Sequence, residues 1–271
     1  FYGLPSSSSH ALIGGVCGAL LVSVGTAGIR GHGLIVKFLV PAVVAPALAF
    51  VVAGIVIVVI YRVVSHRRPG PVVRGLRNGQ IACSALLSLA HGANDAQKTM
   101  GVISLALVAH GDFSARHFHV PSWVVVASAT AIALGTYAGG WRIIRTVGAR
   151  IIKMDSAQGF AAEAAGAAVI LASSRFGYPL SSTQVISGAV MGAGAAKRLS
   201  AVRWGVAGDI VAAWILTLPA AAALGALVYG LASLFGSGAL GPALISLAAV
   251  VALTAGFAGR RGGGAAAPAG A

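Results

Sequence analysis

Charge is scarce in this sequence. Only 9% of its 271 residues are Asp, Glu, Lys or Arg, and just five are acidic. Soluble domains carry about a quarter charged residues, so a water-soluble globule is excluded. Cysteine is scarcer still. Cys17 and Cys83 sit in apolar segments, at a spacing that suits neither a disulfide nor a zinc site; they read as small buried hydrophobes. Aromatic residues make up 7%. No module interleaves them with basic residues, which excludes a nucleic-acid surface despite the net charge of +14. Ser, His and Asp are all present, but no nucleophile elbow or other hydrolase motif accompanies them, so the chain is not read as an enzyme. No initiator methionine and no signal peptide open the sequence, and we expect further helices upstream of residue 1.

Apolar residues, by contrast, make up 58% of the chain. Runs of about 20 of them recur along its length, the signature of membrane-crossing helices. They are too long and continuous for barrel strands, and a helix satisfies its own backbone in lipid. The fold class is therefore an all-α polytopic membrane protein. The runs cover residues 11–29, 34–61, 79–108, 121–141, 204–235 and 240–258, with Pro41 and Pro46 as kink points in the second. Basic residues cluster between runs. Residues 62–78, with Arg62, His66, Arg67, Arg68, Arg74 and Arg77, are expected to be cytoplasmic. The segments around 142–153 and 197–203 read the same way, and the weakly charged 110–120 is placed outside. Residues 259–271 form a low-complexity tail expected to be disordered.

A polar notch interrupts the oily pattern twice. "GYPLSSTQVISGAVMGAG" (177–194) and "GLPSSSSHALIGGVCGAL" (3–20) align without a gap, 174 residues apart. Pro5 meets Pro179, Ser7 meets Ser181, Ser8 meets Ser182, Ser9 meets Thr183, and Gly14 and Gly18 meet Gly188 and Gly192. An ungapped match of this kind indicates an internal repeat. The basic loops put the two copies in opposite directions through the bilayer, which makes it an inverted-topology repeat. Residues 1–61 are then the end of the first repeat and 62–78 a cytoplasmic linker. Residues 79–258 form the second repeat, with a broken helix and a re-entrant hairpin at 157–196. Two short crossings, with Arg175 outside, are the competing geometry for that hairpin.

"HGANDAQKTMG" (91–101) puts Asn94 and Asp95 inside an apolar run. An ionisable group there is a functional-site hypothesis, set against a structural interhelical hydrogen bond. Gly92 permits a break in the helix. Carboxylate, carboxamide and freed carbonyls suit a small hard cation, and a carboxylate alone can carry a proton. Lys98 either snorkels or faces an anion; Gln97 is a further accessory candidate. The notches suit an oxyanion: Ser181, Ser182 and Thr183, and Ser7, Ser8 and Ser9, offer hydroxyls beside helix starts at Gln184 and His10. The plainer reading is an N-cap with helix–helix contacts. Glu163 faces a cavity or a basic loop, and Asp155 and Asp209 read as interfacial. His110, Asp112, His117 and His119 allow an external metal site, but a solvated loop is favoured. No metal site and no cofactor is expected.

"HGANDAQKTMG", together with "PSSSSH" and "PLSSTQ", resembles the signatures of the inorganic phosphate transporter (Pit) family, particularly its bacterial low-affinity branch. The resemblance runs over essentially the whole chain. It implies a multi-pass transporter in the cell membrane that takes up inorganic phosphate by symport with H+ or Na+, the proton favoured. By position, Asn94 and Asp95 would serve the coupling ion, and the serines and threonine of the two notches would bind phosphate. The partners implied are phosphate, free or as a divalent-metal complex, and the lipid bilayer, with a homodimer left open and no nucleic acid. The family pattern has an earlier Asn-Asp pair in its first repeat, whereas no Asp precedes Asp95 here. A sulfate or other oxyanion permease of the same fold and an ion channel stay as alternatives.

Overall fold

The computed structural model describes residues 5–112, 118–236, 238 and 240–262. Among them there is no strand. Nine α-helices carry the fold of the described residues: α1 (Ser8–Ser23), α2 (Gly31–Val64), α3 (Pro69–His110), α4 (Ser122–Gly139), α5 (Trp141–Arg145), α6 (Ser156–Arg175), α7 (Ser182–Lys197), α8 (Trp204–Ser233) and α9 (Leu240–Gly262). Helices α2, α4 and α8 are long and apolar enough to cross a membrane, with mean hydropathies of 3.0, 1.3 and 2.1. Large side chains such as Val43, Ile55, Leu134 and Ile215 stay exposed on them, as lipid-facing residues do. The 16 residues of α1 and of α7 reach only about 24 Å, short of a hydrocarbon core of about 30 Å.

Small residues decide how the helices pack. Ala45, Ala49, Ala53 and Ile57 form a buried stripe along α2 at four-residue spacing. It lies against α7, where Gly188 and Gly192 meet the backbone carbonyls of Pro46 and Phe50 so closely that a Cβ would overlap them. The same construction joins α1 to α8. Gly14 and Gly18 face the carbonyls of Leu218 and Ala222, and a Cβ on Gly14 would stand 2.6 Å from Leu218 O. In lipid, where apolar surface gains nothing by leaving its solvent, such close backbone approach drives association. The glycines of both contacts are equivalent at the 174-residue offset, so the same matched positions make both contacts.

Helices α6 and α7 form a hairpin whose arms lie against α2 and α3. At its tip, Gly177 takes φ +73°, a left-handed conformation that glycine adopts without steric penalty. The Ser173 hydroxyl donates to Tyr178 O at 2.9 Å and closes that turn. At the base, Asp155 caps α6: its carboxylate accepts the Gln158 amide at 2.8 Å, and Gln158 Oε1 accepts the Asp155 amide at 3.1 Å. Lys197, at the end of α7, donates to Asp155 at 3.1 Å and ties the two arms together. Burial pushes the Asp155 carboxyl up, but the Gln158 amide and the Lys197 ammonium outweigh it and hold the group below its ordinary value.

The structure corrects two expectations about α3. No break occurs at Gly92, because the helix runs unbroken for 42 residues from Pro69 to His110. Nor is 62–78 a linker throughout, since α3 starts inside it, with Pro69 at its first turn. The first has a physical reason. The polar groups of the Asn-Asp segment find side-chain and backbone partners on other elements, so no helix carbonyl has to be freed for them. In the expected tail, 259–262 belong to α9 and 263–271 lie outside the described residues.

Candidate functional site

The two notches, far apart in sequence, meet. Ser7 is the N-cap of α1, accepting the His10 amide at 3.1 Å, and Ser181 is the N-cap of α7, accepting the Gln184 amide at 3.4 Å. Both cap residues are buried. Ser9 Oγ crosses over and donates to Leu180 O at 3.1 Å. The equivalent positions His10 and Gln184 face each other, with Gln184 Nε2 3.4 Å from His10 Nε2. With that nitrogen accepting, His10 Nδ1 carries the proton and donates to Trp214 O at 3.1 Å. Trp214 Nε1 in turn donates to Pro5 O at 3.0 Å, so α8 holds the first notch from both sides. Phe38, in a π-helical turn of α2, packs edge-on against His10 with ring centroids 5.0 Å apart.

Helix α3 spans both starts. Ser8 and Ser182, equivalent in the repeat, bind it one turn apart: Ser8 Oγ donates to Asp95 Oδ2 at 3.3 Å, and Ser182 Oγ lies 2.7 Å from His91 Nδ1. His91 Nδ1 is also 3.9 Å from Asp95 Oδ2. Asn94 Nδ2 donates to Leu180 O at 3.0 Å and to Asp95 Oδ1 at 3.4 Å. Lys98 Nζ donates to Asp95 Oδ1 and to Ser9 Oγ, each at 2.8 Å, and to Leu180 O. The ion pair is well shielded, with side-chain exposures of 10% for Lys98 and 17% for Asp95.

Three elements thus bring one carboxylate, one ammonium and several hydroxyls to a single point. Each capping serine satisfies the third amide of its helix. The amides of Ser8 and Ser9 in α1, and of Ser182 and Thr183 in α7, have no carbonyl partner within their helices. Two helix N-termini add partial positive charge at the same place. The combination offers an anion hydrogen-bond donors and a positive field, with the Asp95 carboxylate paired to Lys98 alongside.

Most residues singled out in the sequence belong to this cluster, but their parts differ. Ser7 and Ser181 use their oxygens as caps, while Ser8, Ser9 and Ser182 present hydroxyls. Thr183 instead lines a cavity of about 750 Å³ with His91, Glu163 and Ile186. Gln97 is exposed on α3 and stands outside the cluster. Glu163 accepts the Ser84 hydroxyl at 2.7 Å, an α3–α6 contact. At the end of α3 His110 pairs with Asp112 at 3.3 Å, while His117 lies outside the described residues. No group of three or more His, Cys, Asp or Glu suited to a metal occurs among the described residues. Sequence reasoning missed three participants. His91 carried a signal, standing four residues before Asp95 on one helix face. The Leu180 carbonyl and Trp214 carried none, since a backbone acceptor and a lone aromatic look ordinary in an apolar chain.

Comparison with known proteins identifies the family of the chain. The sequence profile of the phosphate transporter family matches residues 1–77 and 71–225. The chain belongs to the phosphate transporter family. A Mycobacterium tuberculosis relative named "Probable low-affinity inorganic phosphate transporter" is 51% identical over 234 residues, 86% of this chain and 56% of that protein. Relatives of the same name from Rhizobium meliloti and Bacillus subtilis are 46% and 39% identical; the matches cover 86% and 84% of this chain, and 69% and 68% of those proteins. The chain therefore spans 56% of the length of its mycobacterial relatives. A solved structure described as "The sodium-dependent phosphate transporter" shares the fold, with a TM-score of 0.77 and 24% identity over 86% of this chain and 75% of that one. The chain is an integral, all-α membrane protein of a transporter family, and it is not an enzyme.

Proposed function

We propose that the protein is a secondary transporter that takes up inorganic phosphate across the cell membrane, coupled to a cation gradient. The observation that carries this reading is the meeting of two N-capped helix starts at the Asp95–Lys98 pair of a third helix. Phosphate would lie against the first turns of α1 and α7. Ser182 would donate through its hydroxyl, Ser8 and Ser9 would turn theirs from Asp95 and the Leu180 carbonyl to the anion, Thr183 would donate through its amide, and Ser7 and Ser181 would hold the helix starts in place. Asn94 and Asp95 would serve the coupling ion, with H+ favoured over Na+.

The two matched helix pairs, α1 with α8 and α7 with α2, would form inverted repeats, the first ending near residue 61 and the second spanning 79–258. The α6–α7 hairpin would enter the membrane and return, with its tip at the site. Non-helical backbone at that depth is tolerated inside protein, and transport would proceed by rocking or gating the repeats about the fixed site.

Proteoliposomes test the reading. Labelled phosphate should accumulate only under an imposed proton or sodium gradient, and equal uptake without a gradient would remove the symport claim. Excess unlabelled phosphate should suppress the signal and excess sulfate should not; the reverse order would make the protein a sulfate permease. Repeating the assay with and without a divalent metal separates free phosphate from its metal complex.

A further inference from the structure

Lys98 is bound in a way the transport reading has not used. An ammonium has three N–H donors and no acceptor. Here each finds an oxygen, and the oxygens come from three elements: Ser9 Oγ on α1, Asp95 Oδ1 one turn back on α3, and the Leu180 carbonyl before α7. Leu180 O also accepts from Ser9 and Asn94, so the carbonyl is fixed from several sides. Carboxylate, hydroxyl and carbonyl oxygens converging on one point are the ligand set of a small hard cation. At that point stands the Lys98 nitrogen.

Charge leads to the same conclusion. Asp95 is paired with a fixed positive group at 2.8 Å, and both side chains are largely shielded from solvent. A mobile cation would have to displace the ammonium from all three oxygens and bring a second positive charge beside it. Like charges this close, in surroundings of low dielectric, repel strongly. We propose that the Lys98 ammonium is a tethered cation that fills the site an alkali ion would otherwise take, so that this protein binds its anion without Na+. Lys98 is then a specificity-determining residue for the coupling ion. Removing its amine would leave a vacant oxygen set with a full negative charge, fit for Na+.

The test measures 22Na+ binding to the purified protein in detergent, beside its melting temperature in NaCl and in choline chloride. Wild type should bind no Na+ saturably and melt alike in both salts. Lys98→Ala should gain saturable Na+ binding and should melt higher in NaCl than in choline chloride. Lys98→Arg, which keeps the charge, should behave as wild type. Saturable Na+ binding by wild type would overturn the proposal. So would a folded Lys98→Ala protein with no Na+ binding. If the alanine variant does not fold, the wild-type and Lys98→Arg measurements still decide.

A second arm rests on the phosphate-uptake reading: Lys98→Ala should turn any remaining uptake Na+-dependent. The binding arm does not depend on that reading. Absent phosphate uptake with Na+ binding gained would retire the transport reading and keep the tethered cation. Phosphate uptake with Na+ bound by wild type would do the reverse.

Discussion

At the scale of single residues, the site is a set of satisfied polar groups whose balance depends on one ion pair. Asp95 accepts from Ser8, Asn94 and Lys98 together. Removing one partner of a buried pair leaves the other uncompensated, at about 3–5 kcal/mol, whereas removing both is far milder. Asp95→Asn is therefore expected to abolish phosphate accumulation. The double variant Asp95→Asn/Lys98→Met should melt higher than Asp95→Asn alone and still fail to accumulate phosphate. A double variant no more stable than the single would mean that the two charges are not coupled. Much of this site was legible in the sequence, because polar residues stand out in an apolar chain: Asn94, Asp95 and both serine notches were visible for that reason. Leu180 was not, since its part is played by a carbonyl that every residue owns. The roles of Ser7 and Ser181 depend on where a helix begins, a detail that composition does not fix.

At the scale of helices, close packing and caps carry the stability. Gly192 abuts the Phe50 carbonyl, and even one methyl would overlap it. Gly192→Ala should destabilise by about 1–3 kcal/mol, the usual penalty of overpacking. Gly92 has nothing within 4 Å of a built Cβ. Gly92→Ala should raise stability by about 0.5–1 kcal/mol, as a glycine inside a regular helix predicts. Thermal melts of both variants check this pair, and a Gly92→Ala protein that melts much lower would restore the broken helix that the sequence suggested. The continuous α3 was not legible because glycine and polar residues mark a break only when their partners are unknown. Asp155 gives a pH-dependent case. Asp155→Ala should lower stability by about 1 kcal/mol at neutral pH through loss of the cap. Its carboxyl is held below its ordinary value, so its contribution is full above the unfolded value of about 3.9 and fades as pH falls through the lower folded value. Melting curves of wild type and variant should therefore converge in acid, and a constant gap would contradict the role given to the carboxylate.

At the scale of the whole molecule, two matched helix pairs, α1 with α8 and α7 with α2, bring two polar helix starts to one place on α3. The repeat was readable from the alignment of Gly14 and Gly18 with Gly188 and Gly192, and the same glycines make the packing. His10 and Gln184, equivalent in that alignment, also face each other. What sequence alone did not supply is that α3 lies across both copies. That placement makes the notches parts of one site instead of two. The most direct measurement is an experimental structure of the protein with phosphate bound. Phosphate density should lie between the first turns of α1 and α7, within hydrogen-bond reach of Ser8 and Ser182. Density found only elsewhere, such as the basic pocket of Lys153, Lys197, Arg198 and Arg203, with none between the helix starts, would contradict it.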